Sequence, residues 1–271
     1  MNTKEILEKN GFTFKKKFGQ NFLLDDNILN NIVSNSMIAK DSLVIEVGVG
    51  AAALTKKLCK KAGMVLGYEI DKSLKAPLDD ILSSYDNVKI IFDDFLDRNV
   101  SEDIKGFKYK EIVVVANLPY YITTPIITKF IKEKVEVSRI VVMVQNEVAD
   151  RFSANIGSKN YNSLTVFLNY YFDVNKLFVV SKNAFYPRPK VDSAVVMFRK
   201  KKKSIFVKNE ELFFKIVKSS FKQKRKTLKN NLREYDLKKI EKLLEKENKN
   251  LNIRAEDLTI EDFANIANEL S

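Results

Sequence analysis

Ser42-Leu43-Val44-Ile45-Glu46-Val47-Gly48-Val49-Gly50 is the stretch from which the rest of the chain is read. A run of branched apolar residues closed by two glycines has the composition of a buried strand that stops in a tight turn. The glycines permit positive φ and let a ligand approach the backbone closely. Residues 51–61 follow with helical composition, so the unit reads strand, glycine turn, helix. In an open α/β sheet, the crevice beyond such a strand end is where nucleotides bind.

Working outward, residues 64–69, 88–92, 111–116 and 139–145 are further apolar runs of strand length, separated by segments of helical composition. Alternation at this spacing predicts an α/β fold with a parallel, doubly wound sheet. Continuously apolar strands such as 112–116 fit burial on both faces. Thr123-Thr124-Pro125 predicts a helix start, with a hydroxyl cap and proline at the first helical position. After Arg199 the pattern changes. Lys200 to Lys203 form a charge run, and residues 210–221, 237–246 and 260–270 have helical periodicity. The expected organisation is a sheet domain over residues 1–200 and a small all-helical domain over 201–271.

Composition removes several kinds of chemistry. The 271 residues include no histidine and one cysteine, Cys59. An internal disulfide, a zinc site of the usual kind and every histidine-based nucleophile or general base are therefore excluded. No bound metal is expected. No run approaches the ~20 apolar residues of a membrane span, and the first residues lead into no signal-peptide core. These features set the expectation of a cytoplasmic protein without membrane association.

The net charge is +12, and residues 199–233 hold fourteen Lys or Arg against two acids, Glu210 and Glu211. The whole excess of positive charge thus lies in one segment. Such a footprint points to a polyanion, with nucleic acid as the expected partner.

The glycine turn alone leaves two cofactors open. Gly48-x-Gly50-x-x-Ala53 matches a dinucleotide fingerprint, and Glu69 lies about twenty residues on, where the ribose of either cofactor would meet a carboxylate. Glu46 favours S-adenosylmethionine, because a carboxylate just before the glycines attracts a cationic amino acid and repels a pyrophosphate. Asp93 and Asp94 follow the third strand and could accept from an adenine amine. Gln20-Asn21-Phe22-Leu23 is a polar and aromatic cluster that could close over the cofactor.

Asn117-Leu118-Pro119-Tyr120, after the fourth strand, carries more specific information. An adenine amine is a poor nucleophile because its lone pair is delocalised into the ring. The Asn117 amide oxygen and the Leu118 carbonyl could each accept one N–H and favour a pyramidal nitrogen. Tyr120 could stack on a flipped-out base. A sulfonium methyl is already activated, so positioning and charge complementarity carry the catalysis, and histidine is not required.

These residues resemble the KsgA type of small-subunit ribosomal RNA adenine N6,N6-dimethyltransferases. The likeness runs through Lys17-Phe18-Gly19-Gln20-Asn21-Phe22-Leu23, the glycine turn with Leu54-Thr55, Glu69-Ile70-Asp71, and Asn117 to Tyr121 with Thr124-Pro125. It continues through Gln145-Asn146-Glu147-Val148-Ala149, Phe185-Tyr186-Pro187-Arg188-Pro189-Lys190-Val191-Asp192-Ser193, Phe221-Lys222-Gln223-Lys224-Arg225-Lys226-Thr227-Leu228, and Arg254-Ala255-Glu256-Asp257-Leu258. The resemblance implies a Rossmann-like class I methyltransferase sheet followed by the small helical domain. It further implies that Asn21, Leu23, Gly48, Glu69, Asp94 and Asn117 contact S-adenosylmethionine, with Glu69 on the ribose and Asp94 on the adenine amine.

By the same resemblance, Asn117, Leu118 and Tyr120 form the target-base site, and Phe185 is a second stacking surface opposite Tyr120. The implied reaction transfers four methyl groups to two adjacent adenosines near the 3′ end of small-subunit rRNA, within a pre-30S-like particle, by a monomeric enzyme acting in ribosome biogenesis. Two positions depart from the pattern: Asn162, where glycine is usual, and Asn146, where lysine or arginine is common.

Three alternatives remain at this level. An Erm-type enzyme would dimethylate one adenosine of large-subunit rRNA and share the tetrad; Leu118 and the Arg254 to Leu258 segment lean toward the small-subunit type. A non-catalytic RNA-binding relative would retain the fold, against which the intact tetrad argues. A nicotinamide oxidoreductase lacks an evident hydride-handling acid.

Overall fold

Every residue of Ser42–Val47 is buried, because this strand lies inside a sheet covered on both faces. The computed structural model describes residues 22–23, 25–118, 122–202 and 205–271. Among these, the strands in chain order are β1 (Phe22–Leu23), β2 (Ser42–Val47), β3 (Met64–Tyr68), β4 (Val88–Ile91), β5 (Glu111–Asn117), β6 (Val137–Gln145), β7 (Phe172–Val180), β8 (Phe185–Tyr186) and β9 (Ser193–Lys200). The helices are α1 (Asp26–Asn35), α2 (Ala53–Cys59), α3 (Lys75–Leu82), α4 (Val100–Asp103), α5 (Thr123–Lys132), α6 (Asn146–Phe152), α7 (Ser163–Tyr171), α8 (Glu210–Ser220), α9 (Leu228–Asn231), α10 (Leu237–Glu245) and α11 (Ile260–Leu270).

Seven strands form one sheet in the order β4-β3-β2-β5-β6-β9-β7. The pairs β2–β3, β3–β4, β2–β5 and β5–β6 are parallel, and β9 joins β6 antiparallel. The strand order reverses between β2 and β5, so the carboxyl ends of those strands flank the switch point where such sheets bind ligands. The fold is a Rossmann-like α/β sheet with a C-terminal helical region. The sheet is mixed rather than wholly parallel, because the chain returns through β9 after the fifth predicted strand.

The chain divides into two compact units. One comprises residues 1–149 with 175–199, and the other 150–174 with 200–271. In the first unit, Val44, Val65 and Val113 pack with Leu54, Leu58 and Cys59 of α2 and with Leu29, Ile32 and Val33 of α1. In the second, Phe213, Ile216 and Val217 of α8 pack with Ile240, Leu244, Phe263, Ile266 and Ala267. Packing groups residues 150–174 with the helical unit, whereas the sequence pattern alone places them in the first domain. The cause is aromatic: Phe167, Tyr170 and Tyr171 of α7 meet Phe213 and Phe214 of α8 at ring separations of 5.0–6.0 Å.

Two local expectations change. Thr123 does not cap α5. The N-cap is Ile122, without a side-chain bond, and Pro125 is the third helical residue. Thr123 is instead buried, with a hydroxyl that lacks a hydrogen-bond partner among the described residues. Asn162, unusual by family resemblance, has an evident local role. Its side chain accepts from the Leu164 and Thr165 amides while Thr165 Oγ1 accepts from the Asn162 amide. This capping box starts α7 and contributes about 1 kcal/mol.

Candidate active site

β2, β3 and β5 end side by side, and their last residues carry the candidate groups. Gly48 has φ +80° and Gly50 φ +55°, values that favour glycine over residues with a Cβ. The Gly48 amide donates to the Tyr68 carbonyl at 2.8 Å, which folds the turn back against the end of β3. A methyl group placed on Gly48 would lie 3.9 Å from the Asn117 carbonyl oxygen. The glycine turn and Asn117, far apart in sequence, therefore lie side by side. Asn117 is the half-buried last residue of β5, paired with Met143 of β6. The Leu118 side chain is buried and anchors the start of the tetrad. Tyr120 lies outside the described residues, as do Asn21 and the part of the N-terminal motif before Phe22.

Glu69 follows β3 and is 5% exposed. Its two carboxylate oxygens accept from the Gly50 and Asp71 amides, each at 2.8 Å. It thus clamps the glycine turn to the end of β3. Burial raises its pKa, with the backbone hydrogen bonds opposing the shift. Each oxygen retains a lone pair, so the group can still accept from a ribose hydroxyl.

Glu46 differs from the expectation of a charged group open to the crevice. It is 1% exposed, and its Oε2 has no hydrogen-bond partner among the described residues. Burial pushes its pKa up to about 8; the Thr55 hydroxyl opposes the shift, and the charge of nearby Glu69 adds to it. The carboxyl is largely neutral at pH 7 as a result. A buried acid oxygen without a partner costs the fold stability.

The structure distinguishes the paired aspartates. Asp93 Oδ2 faces Arg98 Nη1 at 3.5 Å, and its Oδ1 accepts from the Asp94 amide. Asp94 caps the short 3₁₀ turn Phe95–Asp97 through the Leu96 amide at 2.9 Å.

Leu23 and Phe185 meet through a contact that sequence reasoning did not anticipate. β1 pairs antiparallel with β8, Phe22 opposite Tyr186 and Leu23 opposite Phe185. Leu23 and Phe185 are 3% and 5% exposed, so Phe185 is a buried wall of this junction. Tyr186, next to it, is 48% exposed. Phe22 reaches the glycine turn: a methyl group on Gly50 would lie 2.7 Å from its ring. The N-terminal motif, the glycine turn and the Phe185 segment are thereby joined. Gln145 also pairs with Ser193, linking the segment at 145–149 to the end of the Phe185 motif.

The basic segment lies in the helical unit. Lys218, Lys222, Lys224, Arg225, Lys226 and Lys229 are all exposed, around the connection from α8 to α9. Asn231 holds that connection from one side. Its Oδ1 accepts from the Gln223 amide, and its Nδ2 donates to the Ser220 and Gln223 carbonyls.

The arrangement fits an adenosyl cofactor on structural grounds. Two glycines leave the turn without side chains, a clamped carboxylate stands at the end of β3, and an acid follows β4. Among the described residues, no helix is long and apolar enough to cross a membrane.

Comparison with known proteins agrees over nearly the full length. The profile of the ribosomal RNA adenine dimethylase family matches residues 11–271. The ribosomal RNA small subunit methyltransferase A of Bacillus pumilus is 46% identical, covering 99% of this chain and 95% of that protein. A dimethyladenosine transferase from Plasmodium falciparum superposes with a TM-score of 0.77 at 27% identity, over 90% of this chain and 95% of that one. The 23S rRNA methyltransferase ErmE shares the fold, with a TM-score of 0.73 at 24% identity over 92% of this chain and 99% of its own. A profile match over residues 11–271 and 46% identity across nearly the whole chain show that the chain belongs to the ribosomal RNA adenine dimethylase family.

Proposed function

We propose that this protein dimethylates the N6 amines of two adjacent adenosines near the 3′ end of small-subunit rRNA, using S-adenosylmethionine. The observation that carries the reading is the approach of Gly48 to the Asn117 backbone, which sets a cofactor turn beside the tetrad. The 46% identity to a small-subunit methyltransferase favours that subunit over the large one.

Bound S-adenosylmethionine supplies an electrophilic methyl group on a sulfonium. Glu69 holds the ribose hydroxyls, Asp94 accepts from the adenine amine, and Asn21, Leu23, Gly48 and Asn117 line the remainder. The Asn117 amide oxygen and the Leu118 carbonyl accept the two N–H groups of the target amine and aim its lone pair at the methyl carbon. Tyr120 stacks on the extruded base, and Phe185 walls the opposite side. The methylated nitrogen is acidic enough to pass its proton to water, so no side-chain base is needed. Lys218, Lys222, Lys224, Arg225, Lys226 and Lys229 grip rRNA phosphates. The protein acts as a cytoplasmic monomer on a pre-30S-like particle, without a metal.

The test is transfer of isotopically labelled methyl groups to small subunits that lack the modification, followed by nucleoside mass analysis. N6,N6-dimethyladenosine carrying two labelled methyl groups is expected. Label confined to large subunits, or its absence from both, would overturn the proposal.

A further inference from the structure

A polar network of four side chains connects the two segments that carry Glu69 and Asp94. The Arg98 guanidinium grips Asp103 of α4 through two nitrogens, with Nε to Oδ2 at 3.1 Å and Nη2 to Oδ1. A third nitrogen, Nη1, reaches Asp93 Oδ2 at 3.5 Å. Tyr68, the last residue of β3, donates its hydroxyl to Asp103 Oδ2 at 3.1 Å. Asp103 is 6% exposed at its side chain and Tyr68 is 1% exposed overall, so their mutual bond is shielded from water, whereas Arg98 and Asp93 are 36% and 45% exposed at their side chains. Burial opposes the charge on Asp103, but the hydrogen bonds from Arg98 and Tyr68 outweigh it and keep the pKa low.

The placement of these residues gives the network its meaning. Tyr68 immediately precedes Glu69. Asp93 immediately precedes Asp94 and accepts from its amide at 3.0 Å. The Phe95 ring meets Tyr68 edge-on at 4.9 Å, which adds an apolar contact between the same two segments. The ends of β3 and β4 are therefore tied through one planar cation at the point where their hydrogen-bonded ladder stops at Tyr68 and Ile91. A guanidinium can do this because its rigid fork binds a carboxylate through two bonds and has a further donor for a second acid.

We infer that Arg98 is a positioning residue for the cofactor: it fixes the spacing between Glu69 and Asp94, and so sets cofactor affinity without touching the target base. The inference rests on the reading of Glu69 and Asp94 as the ribose and adenine carboxylates. Support that lies outside the contact shell but orients the groups within it modulates binding by amounts large enough to measure.

The test uses the full-length protein and compares Arg98→Met, Arg98→Lys, Asp103→Asn and the Met/Asn double variant. S-adenosylhomocysteine affinity is read by calorimetry, and steady-state kinetics are measured on small subunits. Arg98→Met is expected to raise Kd and the cofactor KM roughly 3- to 30-fold. The KM for subunits and the rate at saturating cofactor should stay unchanged. Arg98→Lys keeps the charge but loses the fork, so it should recover part of the affinity. The double variant should be no weaker than the worse single variant, because both break one unit. Unchanged Kd in folded Arg98→Met overturns the inference. A parallel rise in both KM values also overturns it, since a merely structural role would produce that. Should Arg98→Met fail to fold, Arg98→Lys is read by the same criteria. Glu69→Gln and Asp94→Asn are measured alongside. If they leave Kd unchanged, the assignment of the two carboxylates itself falls. If they weaken binding and Arg98→Met does not, only the positioning role falls.

Discussion

Glu46 in the sheet unit and Asp262 in the helical unit are both almost fully buried carboxyls, at 1% and 3% exposure. Their surroundings push them in opposite directions. Glu46 Oε2 has no partner among the described residues, and burial lifts its pKa to about 8. Asp262 suffers burial too, but Lys249 Nζ reaches both of its oxygens at 2.6 Å and the Thr259 amide donates to Oδ2 at 2.7 Å. A hydrogen bond shared with Glu247, together with those from Lys249 and the Thr259 amide, outweighs desolvation and holds its pKa low. Asp262 is buried to hold the start of α11. Glu46 is buried at a cost to the fold, beside the glycine turn that the family reading assigns to a cationic cofactor. Burial is thus unfavourable for the acid near the strand end and offset for the acid at the helix cap.

The largest effect expected belongs to the sheet unit. Asn117→Ala should reduce single-turnover methyl transfer about 10²–10³-fold, the scale for removal of one preorganised polar group at a reacting atom. Cofactor affinity, read by calorimetry, should change far less. Equal losses in binding and turnover would show that Asn117 serves the cofactor rather than the amine.

Next, Asp262→Ala should destabilise the protein by about 1.5–3 kcal/mol in urea melts, the range for hydrogen bonds to charged groups. Glu46→Gln should have the opposite character, with little loss or a gain in apo-protein stability at neutral pH. Destabilisation of similar size in both variants would erase the contrast between the two acids.

The pH dependence sharpens the same comparison. Between pH 4.5, the ordinary value for a glutamate, and about 8, the unfolded chain gives up the Glu46 proton while the folded protein keeps it. Stability falls as pH rises through that window. Glu46→Gln should remove this fall, which is read as the difference from the parent protein across the window. Asp262 acts in the other sense. Its contribution is present above its ordinary value of 3.8 and is lost as pH falls through its lower value in the folded protein. An Asp262→Asn variant should therefore lose the steep part of the acid limb.

The smallest effect concerns the exposed lysines. Neutralising Lys222, Lys224 or Lys226 should remove one phosphate interaction apiece, and each removal should lower the slope of log affinity against log salt by about 0.7–0.9. Asn231→Ala, which loosens the connection carrying them, should weaken rRNA binding without changing that slope much. An unchanged slope in a triple-neutralised variant would rule out the phosphate role.

Much of the sheet was legible because each early strand is a continuous apolar run that stops at a polar or glycine signal. Helices α8, α10 and α11 were legible from their apolar period. Strands β1, β7 and β8 were not. β7 has mixed burial along its length, and β1 and β8 are two residues each, defined only by pairing between distant parts of the chain. No local pattern encodes such pairing. The grouping of 150–174 with the helical unit was hidden because it rests on an aromatic face, while the charge run at 200–203 offered a more visible boundary.

At the candidate site, the residue types were legible and their environments were not. Glu46 reads as a charge in sequence and is a largely neutral acid in the fold. The burial of Phe185 and its pairing with Leu23 were not legible in the sequence. Asp93 and Asp94 look alike in sequence, whereas in the fold Arg98 engages the first and the turn at 95–97 the second. The link among Tyr68, Asp93, Arg98 and Asp103 depends on how two strand ends fold together, which no spacing reveals.

The most direct test is a crystal structure with S-adenosylhomocysteine and an oligonucleotide carrying the target adenosine. The exocyclic nitrogen is expected about 2.7–3.2 Å from both Asn117 Oδ1 and the Leu118 carbonyl oxygen, with the sulfur in line behind it. An adenosine bound with its amine away from Asn117, and its ring edge against that side chain, would contradict it.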